Sequence, residues 1–359
     1  MTAPLALLRT GAVTCVGLNA PSTFAALRTR LNNFHDLTFI DPRGEPMTAG
    51  LVTLGQEADR GPAIDKHAAM LARAIGECLD GLAHPDTRDI PLLLCVAEVT
   101  RPGRVAALDA GLRPALEEAL GRHFSPQSRV YAYGQAGAAI ALNDAFALAG
   151  AHPFVLIAAV DSYVGAGTLL AMHGAGRVLS SVNTHGFIPG EAACAVLVAR
   201  PDQVSQLAPR WSNRQRASSS ASGATLFCTG LGIAHELAII GGAAPNRALA
   251  MSDAIRTSLG GLPPDSGAVG LRISGQSSED FYAKELALAA ARTNVCGTPL
   301  WMLADSLGET GAAAGLLALA WAYAAAHKGY APSFNMLCLM ASDEGERSAA
   351  LLSFGEFSA

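Results

Sequence analysis

The 359-residue chain is 50% hydrophobic, only 15% charged, and carries a formal net charge of -5. Soluble domains average about 25% charged residues, and a disordered chain needs low hydrophobicity with high net charge, so disorder is excluded. No basic excess is present to release counterions from phosphates, so nucleic-acid binding is not expected; a chain this apolar is expected to cover surface against a partner as well as in its own core.

In chain order, a helix is predicted over 21–31, where PST precedes FAALRTRL, and a second over 64–79. A strand over 91–97 (PLLLCVA) is followed by a helix over 136–148 and strands over 153–160 (PFVLIAAV) and 192–198 (AACAVLV). Residues 201–230, with WSNRQRASSSASGAT, break the composition and read as a Ser-rich linker or surface excursion. Helices over 251–258, 282–290 and 311–327 and a strand over 268–273 complete the pattern. The strands are apolar on both faces, as central strands covered by helices are, and the alternation signals an α/β protein. The linker separates a half over 1–200 from one over 231–359 of similar texture, with no sequence repeat between them.

The small-apolar run from Gly311 to Ala326 is shorter than the roughly 20 residues of a membrane span, so a buried helix is expected there. The seven cysteines (Cys15, Cys78, Cys95, Cys194, Cys228, Cys296, Cys338) form no C-x-x-C pair, against a zinc ribbon or disulfide framework. Reduced thiols, and an N-terminus without a basic region ahead of its apolar stretch, point to the cytoplasm. There is no P-loop, HExxH or G-x-S-x-G, and the GLG near Gly230 completes no dinucleotide motif. No cofactor or metal is expected.

Four segments carry a resemblance. They are GAVTCVGLNAPSTFAALRTRLNNF near the start, VDSYVGAGTLLAMHGAG with HGFIPGEAACAVLV in the middle, SGQSSEDFYAKEL, and LGETGAAAGLLALAWA. In order and spacing, from residue 11 to about residue 350, they resemble β-ketoacyl synthases. The resemblance implies a thiolase-like α/β fold: two βαβαβαββ halves forming a five-layered αβαβα sandwich, usually a tight dimer.

The family's chemistry uses a cysteine thiolate at a helix N-terminus, two histidines that stabilise oxyanion and enolate, and a lysine. In this sequence the nucleophile position falls on Gln135, between Gly134 and Ala136; the histidines fall on Ser274 and Glu309, and the lysine on Ala304. All four departures remove condensation chemistry, so no catalytic residue is expected. Pocket or turn candidates are Gly134, Gln135, Gly186, Phe187, Gly190, Glu191, Gly308 and Thr310. Gly186, Gly190, Gly308, Gly311 and Gly315 read as turn and helix-packing residues. Glu191 reads as a backbone-bonding carboxylate, and Asp161 with Ser162 as a strand terminator or a bond across a dimer. Glu279 and Glu309 read as solvated or salt-bridged carboxylates rather than an acid–base pair. His173 and His327 are expected at helix ends, and His185 on the surface.

Three functions follow from the resemblance. The first is a non-catalytic adaptor or chaperone, a homodimer or heterodimer; stand-alone degenerate ketosynthase-like chains resemble accessory proteins of type VI secretion loci, which implies effector loading. The FIDPRGEPMTAG and RPGRVAALD stretches are similar to that subgroup. The second is a chain-length factor, the inactive partner of a ketosynthase in polyketide or aryl polyene synthesis, working with an acyl carrier protein. The third is a residual acyl-thioester decarboxylase or hydrolase acting through Gln135 or Ser274.

Overall fold

Where the chain alternates apolar strands with Ala- and Leu-rich helices, the computed structural model builds two halves of one design. It describes residues 3–80, 82, 86–206 and 224–356. The first half runs β1 (Leu5–Thr14), α1 (Ala20–Arg28), a hairpin of β2 (Phe34–Ile40) and β3 (Pro46–Gly50), α2 (Gln56–Arg60) and α3 (Ala63–Leu79). It continues through β4 (Leu92–Cys95), α4 (Leu108–Leu120), β5 (Arg129–Tyr131), α5 (Gly137–Leu148), β6 (Val155–Ser162), α6 (Ala166–Gly174) and β7 (Glu191–Ala199). The second half runs β8 (Thr225–His235), α7 (Leu249–Leu259), β9 (Leu271–Ser274), α8 (Asp280–Arg292) and β10 (Leu300–Met302). It closes with α9 (Ala304–Leu307), α10 (Ala312–His327), β11 (Asn335–Ala341) and β12 (Glu346–Gly355).

Ten strands form one hydrogen-bonded sheet in the order β5-β4-β6-β7-β1-β8-β12-β11-β9-β10. Each half follows the same internal order, third-second-fourth-fifth-first. In each, the first strand pairs antiparallel with the fifth (β1 with β7, β8 with β12) and the second lies parallel to the third and fourth. The halves join where Leu5–Leu7 meets Leu226–Cys228 antiparallel.

Helices α3 and α4 cover the outer face of the first half-sheet, and α7 and α8 that of the second. Helices α5 and α10 touch strands of both halves and make the middle layer, completing a five-layered αβαβα sandwich. Helix α10 is built to pass between the two half-sheets. Its alanines and glycine keep it thin, and its residues from Ala312 to Ala322 are all buried, so it has no polar stripe.

The halves share their closest helix–strand contact. A Cβ on Gly11 of β1 would lie 1.9 Å from the Ala74 carbonyl of α3, and one on Gly232 of β8 would lie 1.9 Å from the Ala254 carbonyl of α7. Only glycine permits that approach.

Several sequence expectations shift. Residues 225–230, read as linker, are the start of β8, which pairs with β12. Residues 201–206 form a 3-10 turn, and the rest of the Ser-rich stretch, 207–223, lies outside the described residues. Helix α1 is capped by Asn19, whose side chain accepts from Ser22 N at 2.9 Å, with Pro21 in its first turn. Among the described residues, no helix is long and apolar enough to cross a membrane.

Candidate functional site

Gln135 lies in a 3-10 turn, Gly134–Ala136, that feeds directly into α5. Glu309 lies in the turn between α9 and α10, held by Glu309 N donating to the Ile188 carbonyl (2.7 Å) and Gly190 N donating to the Glu309 carbonyl (2.9 Å). These two turns, 174 residues apart, meet in the middle of the sandwich. Gln135 Nε2 donates to Glu309 Oε1 at 2.9 Å and Oε2 at 3.1 Å, and Gly311 N donates to Glu309 Oε1 at 2.7 Å.

Burial pushes the Glu309 carboxyl up to about 8, against the lowering by the Gln135 and Gly311 bonds; nearby Asp343 and Glu279 add to the rise. The carboxyl is therefore mostly protonated at neutral pH. Gln135 Oε1 is buried without a hydrogen-bond partner. Glu309 is thus neither solvated nor salt-bridged, which corrects the sequence reading: the turn ending α9 carries it inward, where an amide and a backbone N–H replace water.

A charged shell surrounds the pair. Glu98, just past β4, lies against Gly134, and burial pushes its carboxyl up to about 7, opposed by Arg101. Arg101 pairs with Asp161 at the end of β6 and stacks 4.3 Å over the Tyr163 ring. Asp161 Oδ2 also accepts from Ala312 N at 2.8 Å, seating a carboxylate at the N-terminus of α10. Arg177 bridges Glu279 (2.7 Å) and Asp343 (2.5 Å), and Tyr282 donates its hydroxyl to Asp343. Glu279 is therefore salt-bridged. Arg177 holds Asp343 below its ordinary value despite its burial.

The other candidate positions fall around this shell. Ser274 ends β9, fully buried; its Oγ accepts from Gln276 N at 3.0 Å, and among the described residues no hydrogen bond joins it to Gln135 or Glu309. Ala304 opens α9, its carbonyl accepting from Gly308 N at 3.1 Å. Thr310 is buried with its hydroxyl unpartnered. Phe187 is buried edge-on to Tyr163 at 5.2 Å, and Gly186 packs beside it against the Val178 backbone. Glu191 accepts from Val52 N (2.8 Å), Lys66 Nζ (2.6 Å) and Ser162 Oγ (3.1 Å). His173 and His327 lie in the last turns of α6 and α10, and His185 is exposed beside Asp280.

Among the described residues, no activated nucleophile adjoins Gln135. The Cys95 side chain, near Gly137, is fully buried and its thiol is pushed far up, which suppresses the thiolate. Among the described residues no group of three His, Cys, Asp or Glu could hold a metal. Sequence reasoning passed over Glu98, Arg101, Arg177 and Asp343. For Glu98, Arg101 and Asp343 the available signal was a charged residue soon after an apolar strand run, in LLLCVAEVTR and MLCLMASDEG; Arg177, just past α6, carried no such signal.

No protein-family model and no curated protein matches the sequence. Solved structures do match in shape, and the fold is the thiolase-like sandwich of the ketosynthases. One neighbour is the ketosynthase from module 6 of the bacillaene synthase of Bacillus subtilis (TM-score 0.74, 12% identity, covering 99% of this chain and 72% of that one). Another is the AntDE:AntF complex, a type II polyketide acyl-carrier protein with its ketosynthase bound to the hexaketide (TM-score 0.74, 14% identity, 98% and 100%). A third is the ishigamide ketosynthase/chain length factor (TM-score 0.70, 16% identity, 98% and 99%). This chain is similar to all three in fold.

Proposed function

We propose that this chain is a non-catalytic ketosynthase-fold protein that acts by presenting surfaces to other proteins, as an adaptor or chaperone. Effector loading in type VI secretion is the setting that the sequence resemblance implies. The observation that carries the reading is the Gln135–Glu309 pair. The position that would bear a nucleophile bears a buried amide, held by a carboxyl that burial keeps protonated. An amide is no nucleophile, and without histidines the developing oxyanion and enolate of decarboxylation lack their stabilising donors. Residual hydrolysis at Ser274 is disfavoured, since its buried hydroxyl accepts from Gln276 N and, among the described residues, no base bonds it.

The test pairs chemistry with capture. Incubated with malonyl- and acyl-carrier protein, the purified chain is expected to release no carbon dioxide and to gain no acyl mass, while affinity capture retrieves a protein partner. Turnover or an acyl adduct refutes the non-catalytic reading.

A second reading, chain-length factor, rests on Gln135 and on the likeness in fold to the ishigamide ketosynthase/chain length factor. It requires a heterodimer with an active ketosynthase. Co-expression with an active type II ketosynthase and its acyl carrier protein separates the two: a stable one-to-one complex that makes polyketide favours the second, and a homodimer favours the first.

A further inference from the structure

Away from the central site, a cavity of about 170 Å³ opens where the two halves meet at the C-terminal end of α1. Its wall is aromatic. Trp301 of edge strand β10 lies 4.8 Å from Trp321 of α10 and stacks at 6.0 Å on Tyr330, whose ring also carries the Arg28 guanidinium at 4.7 Å. Trp321 is buried, and its indole N–H and the Tyr330 hydroxyl, both sealed from water, lie against each other.

The rim carries charge of both signs. Arg28 and Arg30 reach it from the end of α1, and Asp305 reaches it from α9. All three are exposed, and none has an ion-pair partner among the described residues. Arg30 adopts a positive φ of 55°, the helix-ending position usually filled by glycine; the backbone turn sets this arginine at the cavity mouth.

A rim that carries two guanidinia and one carboxylate, none of them ion-paired among the described residues, beside an aromatic wall matches a ligand with an anion, a cation and an apolar body. A simple carboxylate would meet repulsion from Asp305, and a simple amine would meet it from the arginines. We propose that the cavity binds a free apolar α-amino acid. Its carboxylate pairs with Arg28 and Arg30, its ammonium with Asp305, and its side chain lies against Leu27, Leu300 and Trp301 of the lining. Cavities between structural halves, mostly apolar with a few converging polar groups, are where small ligands sit.

Calorimetric titration of the full chain with L-phenylalanine and L-leucine tests this. Saturable one-to-one binding of at least one of them is expected. Capping the amine (N-acetyl-L-phenylalanine or N-acetyl-L-leucine) or esterifying the carboxylate is expected to weaken it about tenfold or more, as loss of a charge-assisted pair does. Asp305→Asn is expected to erase the preference for the free amine, and Arg30→Ala the preference for the free carboxylate; both positions are exposed, so folding is retained. Absence of saturable heat with either amino acid, or capped forms binding as well as free ones, overturns the proposal. The readout does not depend on thioester chemistry, so its outcome is separate from that of the non-catalytic reading.

Discussion

The two halves repeat one strand order and one glycine contact, yet they are stabilised differently. The outer layer of the first half is mostly apolar, with the Lys66–Glu191 pair at its edge: Met70, Leu71, Ala74 and Ile75 of α3 and Leu112 and Leu116 of α4 close over Leu92, Leu94, Val13 and Leu156. The outer layer of the second half has a smaller apolar cluster, centred on Met251, Ile255, Tyr282 and Leu286, and a buried polar network beside it. Arg347 of β12 donates to both oxygens of Glu285 on α8 at 2.9 and 2.8 Å, with both side chains fully buried, and Asn246 and Gln276 complete the carboxylate's bonds. One fold thus tolerates two kinds of layer. Hydrophobic burial is non-directional and forgiving, whereas the ion-pair layer holds only while every partner is present.

The largest expected effect follows from that contrast. Arg347→Ala leaves Glu285 buried and unpaired, and urea denaturation should show a loss of about 3–5 kcal/mol. A loss under about 1 kcal/mol would mean that the second half does not depend on this pair. Next, Gly11→Ala and Gly232→Ala each drive a methyl into a carbonyl 1.9 Å away. Each should cost about 1–3 kcal/mol by the same measurement, and clearly unequal costs would break the structural equivalence of the halves.

The pH dependence separates the ion-paired region from the site between the halves. Asp343 is held below its unfolded value of 3.8, so its contribution is present above that value and is lost as pH falls through its folded pKa. Glu309 runs the other way. Its folded value of about 8 lies above its unfolded value of 4.5, so the folded state binds the extra proton between them and stability falls as pH rises across that window. Glu309→Gln should therefore match wild type below about pH 4.5 and exceed it in stability above about pH 8. Melting curves across this range check both signs. The smallest effect is expected from Thr310→Val, which removes a buried hydroxyl without a partner: a change within about 0.5 kcal/mol, in the stabilising direction.

The central strands were legible because β6 and β7 are apolar on both faces, and α10 because an Ala-rich run of that length suits a buried helix. Strands β5 and β10 have three residues each, too short for a period to register. Helix α4 contains Gly111 and Pro114, which read as breakers. The repetition of the halves shows in sequence only as a shared strand–helix texture, without a residue-level repeat, since it survives as strand order and as the backbone contacts of Gly11 and Gly232. At the site, motif spacing located Gln135, Ser274 and Glu309 one at a time. That Gln135 and Glu309 bond to each other while Ser274 bonds to neither depends on how α5 and α10 meet, which no local pattern encodes.

The central claim is that a sealed, neutral amide–carboxyl pair occupies the place of a reactive centre. Infrared titration of carboxyl bands, comparing wild type with Glu309→Gln, tests it most directly. The expected result is a protonated carboxylic acid band at pH 7 that is stronger in wild type than in the variant, where Glu98 still contributes, with the difference between the two titrating near pH 8. A Glu309 carboxyl that ionises near its ordinary value of 4.5 would mean a solvated, open site and would contradict the account.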